Sequence, residues 1–178
     1  MSKVILATKT QIDQIRNLNS KYLINHLTNT QKKEGFIRVE YSLLELEEIV
    51  NHEEIVVAFD NNTIAGYYLI GRKSENLGIG YQMSKSRHLA EKRNIPYDKI
   101  GYGCQVCIDE KYRNNGLFTS MLKRLCATVK MKYDYLFCSV SGSNTISLNA
   151  HINNGWQQID SFENTNFLLY KIDHKITK

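Results

Sequence analysis

A strand, a polar loop and a helix follow one another in the centre of the chain and limit its possible folds most. Residues 100–108 form a long apolar run that predicts a strand. Apolar residues then recur at helical spacing from Leu117 to Val129, and residues 136–140 predict another strand. This order predicts two parallel neighbouring strands joined by a right-handed crossover.

The N-terminal part of the chain predicts a strand and a helix. Residues 4–7 predict a short strand. Thr10, with Asp13 three residues later, resembles a capping box and predicts a first helix that ends near His26. Residues 27–40 are polar and irregular, so no element is predicted there.

A second helix and a hairpin are predicted next. Ser42 and Glu45 form a capping box at the start of an amphipathic segment. Residues 54–59 and 64–71 are strand-like and flank the polar turn 60–63, so they predict an antiparallel hairpin.

The remaining segments complete the element order. Residues 84–93 predict a basic helix within an insert, and residues 145–153 predict a short helix. Residues 156–159 and 167–172 predict two closing strands, which are also a candidate homodimer surface. The order β-α-α-β-β-insert-β-α-β-α-β-β predicts an α+β fold with a mixed, mostly antiparallel central sheet.

Length and charge narrow the class of protein. A chain of 178 residues with 42% hydrophobic residues suits a single domain over residues 1–178. The net charge of +5 is spread along the chain, whereas a nucleic-acid binder usually has a denser basic stripe. Residues 1–7 are too short and too polar for a signal peptide, and no apolar run reaches bilayer-spanning length. We expect a cytoplasmic protein without a membrane partner.

The cysteines and histidines do not predict a metal site. Cys104 and Cys107 form a C-x-x-C motif, but the chain has no second close Cys/His pair. The five histidines show no ligand spacing. We therefore expect free thiols at Cys104, Cys107, Cys126 and Cys138, and no metal.

The loop between the central strand and helix is a candidate phosphate site. A helix N-terminus carries unpaired N–H groups and a partial positive charge, so phosphates bind there readily. Gly116 permits close approach of the backbone to a ligand, and Arg113 adds a charged donor. Asn115-Gly116 is also a strong hairpin signal, but the helical stripe that follows it argues against a hairpin.

Two motifs resemble those of the GNAT superfamily of N-acetyltransferases. Its pyrophosphate loop has Gln or Arg, two residues, Gly, one residue, then Gly or Ala; this chain has Arg113, Gly116 and Phe118, and differs at the last position. The second motif matches Asn144, His151, which stands where the family usually has Tyr, and the Gly155-Trp156 step. The element order resembles the family over nearly the whole chain, while the motifs cover about its last two fifths.

The resemblance implies a fold, a cosubstrate and site residues. It implies a parallel strand pair that is splayed apart, helices on both faces of the sheet, and acetyl-CoA as the acetyl donor. It also implies direct attack of an amine on the thioester, an oxyanion held by backbone N–H groups near residues 106–108, and His151 as the catalytic group that protonates the leaving thiolate. The implied cofactor-binding residues are Val106, Cys107, Ile108, Arg113, Asn114, Asn115, Gly116, Leu117, Phe118 and Asn144.

Several alternatives remain open at the level of sequence. The chain could be an inactive CoA-binding sensor of the same fold, or a nucleic-acid-binding module that uses the basic insert helix. An acyl-cysteine mechanism at Cys104 or Cys107 is conceivable, although packed strand thiols are the preferred interpretation. The basic residues of the insert helix are Lys85, Arg87, His88, Lys92 and Arg93.

The acceptor and the general base are not assigned. Glu40, Asp109 and Glu110 are candidate bases by position only. The acceptor is a small-molecule or peptide amine whose pocket is expected from the first two helices and the insert. Strand tyrosines such as Tyr67, Tyr68 and Tyr102 are candidate lining residues, with half-buried sheet residues as the commoner alternative.

Overall fold

The computed structural model describes residues 3–71 and 80–174, so residues 72–79 of the predicted insert lie outside the described part of the chain. The helices and strands are, in chain order, β1 (Lys3–Leu6), α1 (Ile12–Lys21), α2 (Asn29–Lys32), α3 (Leu43–Asn51), β2 (Ile55–Asp60), β3 (Thr63–Leu69), α4 (Gly80–Glu91), β4 (Ile100–Gly101), β5 (Gln105–Ile108), α5 (Leu117–Val129), β6 (Tyr135–Ser141), α6 (Thr145–Asn153), β7 (Gln157–Phe162) and β8 (Thr165–Lys171).

The strands form two four-stranded sheets. One has the order β1-β2-β3-β5 and the other the order β4-β6-β8-β7. The β4–β6 pair is parallel, and all other pairs within the described residues are antiparallel. Helix α5 packs against β1, β2 and β3 on one face, while α1 packs against β3 on the other. The predicted α+β class with a mixed sheet is confirmed.

Residues 100–108 are not one strand, so that prediction was wrong. Gly103 has a φ of +69°, a left-handed conformation that glycine adopts without a steric penalty, and it divides the run into β4 and β5. Strand β4 pairs with β6, whereas β5 pairs with β3 in the other sheet. The N–H of Cys104 donates to the Phe137 carbonyl at 3.2 Å, and beyond this contact β5 and β6 separate. One apolar run thus supplies strands to both sheets.

The first helix also differs from its prediction. The capping interaction involves Thr8 and Gln11 rather than Thr10 and Asp13, with the Thr8 N–H donating to Gln11 Oε1 at 2.7 Å. Helix α1 ends at Lys21 instead of near His26. The backbone beyond it is diverted into hydrogen bonds with Ile37, which accepts from Ile24 and donates to Tyr22, each at 2.8 Å.

The second capping box and the hairpin are confirmed. The N–H of Glu45 donates to Ser42 Oγ at 3.3 Å, and the Ser42 N–H donates back to a Glu45 carboxylate oxygen at 2.8 Å. In the hairpin, Tyr67 and Tyr68 lie on opposite faces and are fully buried. They therefore belong to the cores on the two sides of the sheet. No helix in residues 3–71 and 80–174 is long and apolar enough to cross a membrane.

Candidate active site

The separation of β5 from β6 leaves backbone groups of β5 facing a cleft. The Asp109 N–H donates to the Ala65 carbonyl of the β3 side at 2.9 Å. Successive residues of a strand point their N–H groups in alternate directions. The N–H of Cys107 therefore faces β3, whereas the N–H groups of Val106 and Ile108 face the cleft. The Cys107 side chain packs towards α1, with its thiol 3.8 Å from the Leu18 carbonyl. Of the three predicted residues, Val106 and Ile108 thus offer N–H groups to a ligand.

A cavity of about 260 Å³ fills the space between the separated strands. We call it the splay cavity; Gly103, Cys104 and Val106 line one side, and Ser139 and His151 line the other. Residues 34–41 lie across it. This segment is anchored on the β5 side, where Gln105 Nε2 donates to the Val39 carbonyl at 2.9 Å.

The N-terminus of α5 lies at the open end of the cleft. Gly116 is the N-cap with a φ of +73°, and the helix starts at Leu117. Within the described residues, the backbone N–H groups from Asn114 to Thr119 have no hydrogen-bond acceptor. A Cβ added to Gly116 would meet nothing within 4 Å. A second cavity of about 390 Å³, the loop cavity, lies here, and an anion fits this arrangement.

Arg113 fixes the shape of this loop. Its Nε donates to the Ile108 carbonyl at 3.0 Å, its Nη1 donates to the Glu34 carbonyl, and its guanidinium lies 4.9 Å from the centre of the Tyr22 ring. The Tyr22 hydroxyl in turn accepts from the Glu110 N–H at 2.8 Å. Arg113 therefore joins the 34–41 segment, α1 and the loop, and only part of its guanidinium is left for a ligand.

The residue that departs from the family motif lines the loop cavity and packs its ring against two buried rings. The Phe118 ring makes edge-to-face contacts with Tyr68 at 5.5 Å and His151 at 5.0 Å, between ring centres. Leu117 is also buried in the core, whereas Asn114, Asn115 and Gly116 are exposed. The bulky side chain at this position fills the interior and leaves the exposed N–H groups accessible.

Asn144 joins the cleft cover to α6. Its Oδ1 caps the helix by accepting from the Ser147 N–H at 3.3 Å, and its Nδ2 donates to the Phe36 carbonyl at 2.9 Å. Asn144 is buried and lines both cavities. Its side chain holds residues 34–41 over the cleft from the β6 side.

His151 is buried, and its protonation state follows from its contacts. Nδ1 lies 2.7 Å from the Ser147 carbonyl, which can only accept, so Nδ1 carries the proton. Nε2 then carries a lone pair, and it has no hydrogen-bond partner among the described residues. Burial lowers the pKa of His151 to about 4, against the opposing effect of the Ser147 hydrogen bond. The imidazole is neutral at pH 7, with a buried acceptor beside the splay cavity.

A buried polar network beneath the cover was missed by sequence reasoning. Asn19 Nδ2 lies 2.8 Å from the Tyr67 hydroxyl and 3.1 Å from the Val39 carbonyl, and the Tyr67 hydroxyl donates to Gln105 Oε1 at 2.6 Å. A signal was available, because Asn19 follows Ile12 and Ile15 at helical spacing and so falls on the apolar face of α1. The network connects α1, the 34–41 segment and β5.

The candidate bases and the basic helix have other partners. Asp109 binds Lys21 Nζ at 2.8 Å, and Glu40 and Glu110 are exposed. On α4, Lys85 pairs with Asp160 at 3.0 Å and Arg87 stacks on Tyr97 at 4.5 Å. Just beyond the end of α4, Arg93 donates to the Ile159 carbonyl at 3.0 Å. These contacts use basic side chains that a nucleic-acid interface would need free.

The cysteines are free thiols. Cys107, Cys126 and Cys138 are buried, and Cys104 is half-buried. Burial raises the pKa of all four thiols, so each is protonated at pH 7. Within residues 3–71 and 80–174, no group of three or more His, Cys, Asp or Glu side chains is arranged to hold a metal ion.

Two sheets share one interrupted apolar run and separate around a cleft, and a helix N-terminus lies at the mouth of this cleft. This arrangement is the architecture of the GNAT class. The chain belongs to the acetyltransferase (GNAT) family, whose family model matches residues 14–156. No curated protein matches the chain.

Solved structures share the fold at low sequence identity. The PaiA N-acetyltransferase from Thermoplasma acidophilum, in complex with coenzyme A, is 13% identical, with a TM-score of 0.63 over 96% of this chain and 99% of that one. YncA from Salmonella typhimurium, with its cofactor acetyl-CoA, is 13% identical, with a TM-score of 0.60 over 99% and 96%. The ribosomal-protein-S18-alanine N-acetyltransferase from Escherichia coli is 10% identical, with a TM-score of 0.61 over 100% of both.

Proposed function

We propose that this protein is an acetyl-CoA-dependent N-acetyltransferase that binds the CoA pyrophosphate at residues 113–118. The observation that carries the proposal is the row of unpaired N–H groups from Asn114 to Thr119 beside the open space above Gly116. Family membership and the neighbours solved with CoA or acetyl-CoA support it. Phosphate oxygens would accept from these N–H groups at the positive end of the α5 dipole.

The reaction is acetyl transfer to an amine. Acetyl-CoA would supply a thioester whose carbonyl carbon the amine attacks directly; a C–N bond forms, the C–S bond breaks, the amine loses one proton and CoA leaves as the thiol. The N–H of Val106 is positioned to donate to the developing oxyanion, because it faces the cleft next to the point where β5 and β6 separate.

The proposed role of His151 is adjusted by its geometry. A neutral ring whose proton lies on Nδ1 has none on Nε2 to give to a leaving thiolate. We propose that His151 instead acts as a neutral ring in the wall of the cleft, held in place between Phe118 and Trp156 beside the pantetheine arm. Protonation of the thiolate then comes from solvent.

The test is the thermal midpoint with and without acetyl-CoA for the wild type, Gly116→Ala and Gly116→Trp. A ligand at about 100 times its Kd stabilises a protein by roughly 2.7 kcal/mol, which gives a clear shift. We expect the shift in the wild type and its loss in Gly116→Trp, whose side chain would occupy the phosphate space.

Two controls separate blocked binding from backbone strain. Gly116→Ala has the same positive φ without the bulk, and Gly155→Ala places a side chain at another positive φ, +88°, outside the loop. Both should keep most of the shift. A shift that persists in Gly116→Trp would place the pyrophosphate elsewhere, and a wild type without any shift would remove the enzyme proposal. Binding with no release of CoA thiol for any amine would indicate an inactive homologue.

A further inference from the structure

A third cavity of about 330 Å³ lies at the closed end of the cleft, opposite to the loop cavity. Four carboxylate residues line it, so we call it the acidic cavity: Glu45, Glu48, Glu54 and Asp98. It adjoins the splay cavity, because Tyr41 lines both. Gly71, on its wall, also donates its N–H to the carbonyl of Gly103, on the wall of the splay cavity, at 3.2 Å.

Tyr41 lies at this junction with an unused hydroxyl. Its side chain is only 4% exposed, and the hydroxyl makes no hydrogen bond with any residue that the structure describes. A Cβ added to Gly71 would lie 2.3 Å from this hydroxyl, so the phenol occupies the space that glycine leaves. A hydroxyl that has no partner among the described residues and belongs to a residue lining two cavities indicates a place for a polar ligand atom.

The charge of the acidic cavity does not suit the cofactor. CoA carries several phosphate charges, and carboxylates would repel them. Glu54 is fully buried, accepts from the Tyr133 hydroxyl at 2.8 Å and lies 4.0 Å from Lys132 Nζ. Glu48 and Asp98 are exposed at the rim. Among the described lining residues, no Lys, Arg or His lines this cavity.

The splay cavity differs in charge. Its described lining contains no carboxylate, and Arg38 is its one permanent cation, with Nη2 3.4 Å from Ser139 Oγ. The cofactor arm has to occupy this space under the proposed function. The acidic cavity is therefore the space that remains for the acceptor.

We propose that the acidic cavity is the acceptor site and takes an alkyl amine with a second positive charge, a di- or polyamine, with the Tyr41 hydroxyl contacting the reacting amine. This inference rests on the proposed function. The distal ammonium lies among the carboxylates, beside Tyr102 and Tyr133. The reacting ammonium first loses a proton to water; the Tyr41 oxygen then accepts one N–H and turns the nitrogen lone pair towards the thioester.

The experiment uses the full chain and three amines of similar length. These are 1,4-diaminobutane, n-butylamine and β-alanine, which carry an extra positive charge, no extra charge and a negative charge. Steady-state release of CoA thiol gives kcat and KM for each amine. We expect kcat/KM to be at least about tenfold higher for the diamine than for butylamine, which corresponds to one well-placed charge interaction.

The matched variants separate charge from chemistry. Glu48→Gln with Asp98→Asn should raise KM for the diamine about tenfold, while KM for butylamine and acetyl-CoA stays within twofold. Glu47→Gln is the control, since Glu47 lies on the same helix but pairs with Lys9 at 3.6 Å and does not line the cavity. Tyr41→Phe should lower kcat for every amine by about tenfold and leave the acetyl-CoA thermal shift intact.

The results that would overturn the acceptor-site inference differ from those that would overturn the proposed function. Equal kcat/KM for the diamine and butylamine, or a preference for β-alanine that Arg38→Gln abolishes, would overturn this inference while acetyl transfer stands. If no amine is acetylated, the thermal shift produced by the diamine in the wild type and in the double variant decides: a shift confined to the wild type supports the site, and no shift rejects it. A missing acetyl-CoA shift concerns only the proposed function.

Discussion

The two ends of the cleft are built in different ways. At the open end, six consecutive residues, 113–118, form the turn, the exposed N–H groups and the start of α5. At the closed end, the junction consists of Tyr41, Gly71 and Gly103, which come from three separate parts of the chain. The open end is determined by local backbone conformation, whereas the closed end is determined by packing between distant segments.

The two glycines show what this difference means. Gly116 has open space around it and is needed for its backbone conformation. Gly71 is needed for space, since an added Cβ would lie 2.3 Å from the Tyr41 hydroxyl and 2.8 Å from the Gly103 carbonyl oxygen. Anion sites of the first kind can be recognised in a sequence, but junctions of the second kind need a three-dimensional structure.

The largest effect is expected for Gly71→Ala. Its Cβ meets a backbone carbonyl that cannot move without disturbing the β4–β5 break, so we expect a loss of about 3 kcal/mol in the free energy of unfolding. Gly116→Ala should lose only about 1 kcal/mol, from positive-φ strain alone. Urea denaturation of the two variants measures the difference.

A double variant sharpens the same comparison. Tyr41→Phe removes the atom nearest to the new Cβ, so it should recover part of the loss in Gly71→Ala, by roughly 1 kcal/mol, as expected for residues in contact. It should not change the stability of Gly116→Ala. Equal losses for the two alanine variants, or no coupling to Tyr41, would contradict the packing interpretation.

The fold was predictable where local signals agree. The Ser42 capping box, the hairpin and helix α6 at Thr145–Asn153 follow from short sequence patterns and are confirmed. The break at Gly103 was not predictable, because residues 100–108 are apolar throughout and the two strands are distinguished only by their partners. Helix α1 ends early for a similar reason, since Ile37 takes its next backbone groups.

In the candidate site, too, features set by local sequence were predictable and contacts between distant segments were not. Gly116 and Asn144 were found from motifs, and their structural positions at a helix N-terminus and at the α6 cap fit the proposed cofactor site. The partner of Asn144 at Phe36, by contrast, is 108 residues away, and no spacing rule connects the two. The acidic cavity was missed because its residues share no motif.

A smaller effect is expected from His151 as the pH falls. Its pKa is about 4 in the folded state, below the usual value of 6.5, so the unfolded chain binds its proton more readily. The stabilising contribution is complete above pH 6.5 and is lost as the pH falls towards 4, about 2 to 3 kcal/mol by pH 4.5. His151→Phe keeps an aromatic ring between Phe118 and Trp156 without a titrating group, so its stability should change less between pH 7.5 and pH 4.5. Parallel losses in both proteins, measured by urea denaturation, would mean that His151 is protonated more readily than its burial indicates.

The smallest effect is expected for Cys104→Ala, which distinguishes direct attack by the amine from a route through an acyl-cysteine intermediate. Cys104 lines the splay cavity directly beside Gly103, where an acyl-cysteine intermediate would have to form. Burial raises the pKa of this thiol, so at pH 7 it lacks the thiolate that a nucleophile requires. With direct attack by the amine, kcat should stay within about threefold of the wild type, because only a small packing contact is lost. A covalent route through Cys104 would instead lose about a thousandfold or more and show an acetylated cysteine by mass spectrometry of the wild type. Retention of activity would leave the Val106 N–H and the Tyr41 hydroxyl as the groups that act on the thioester and the amine.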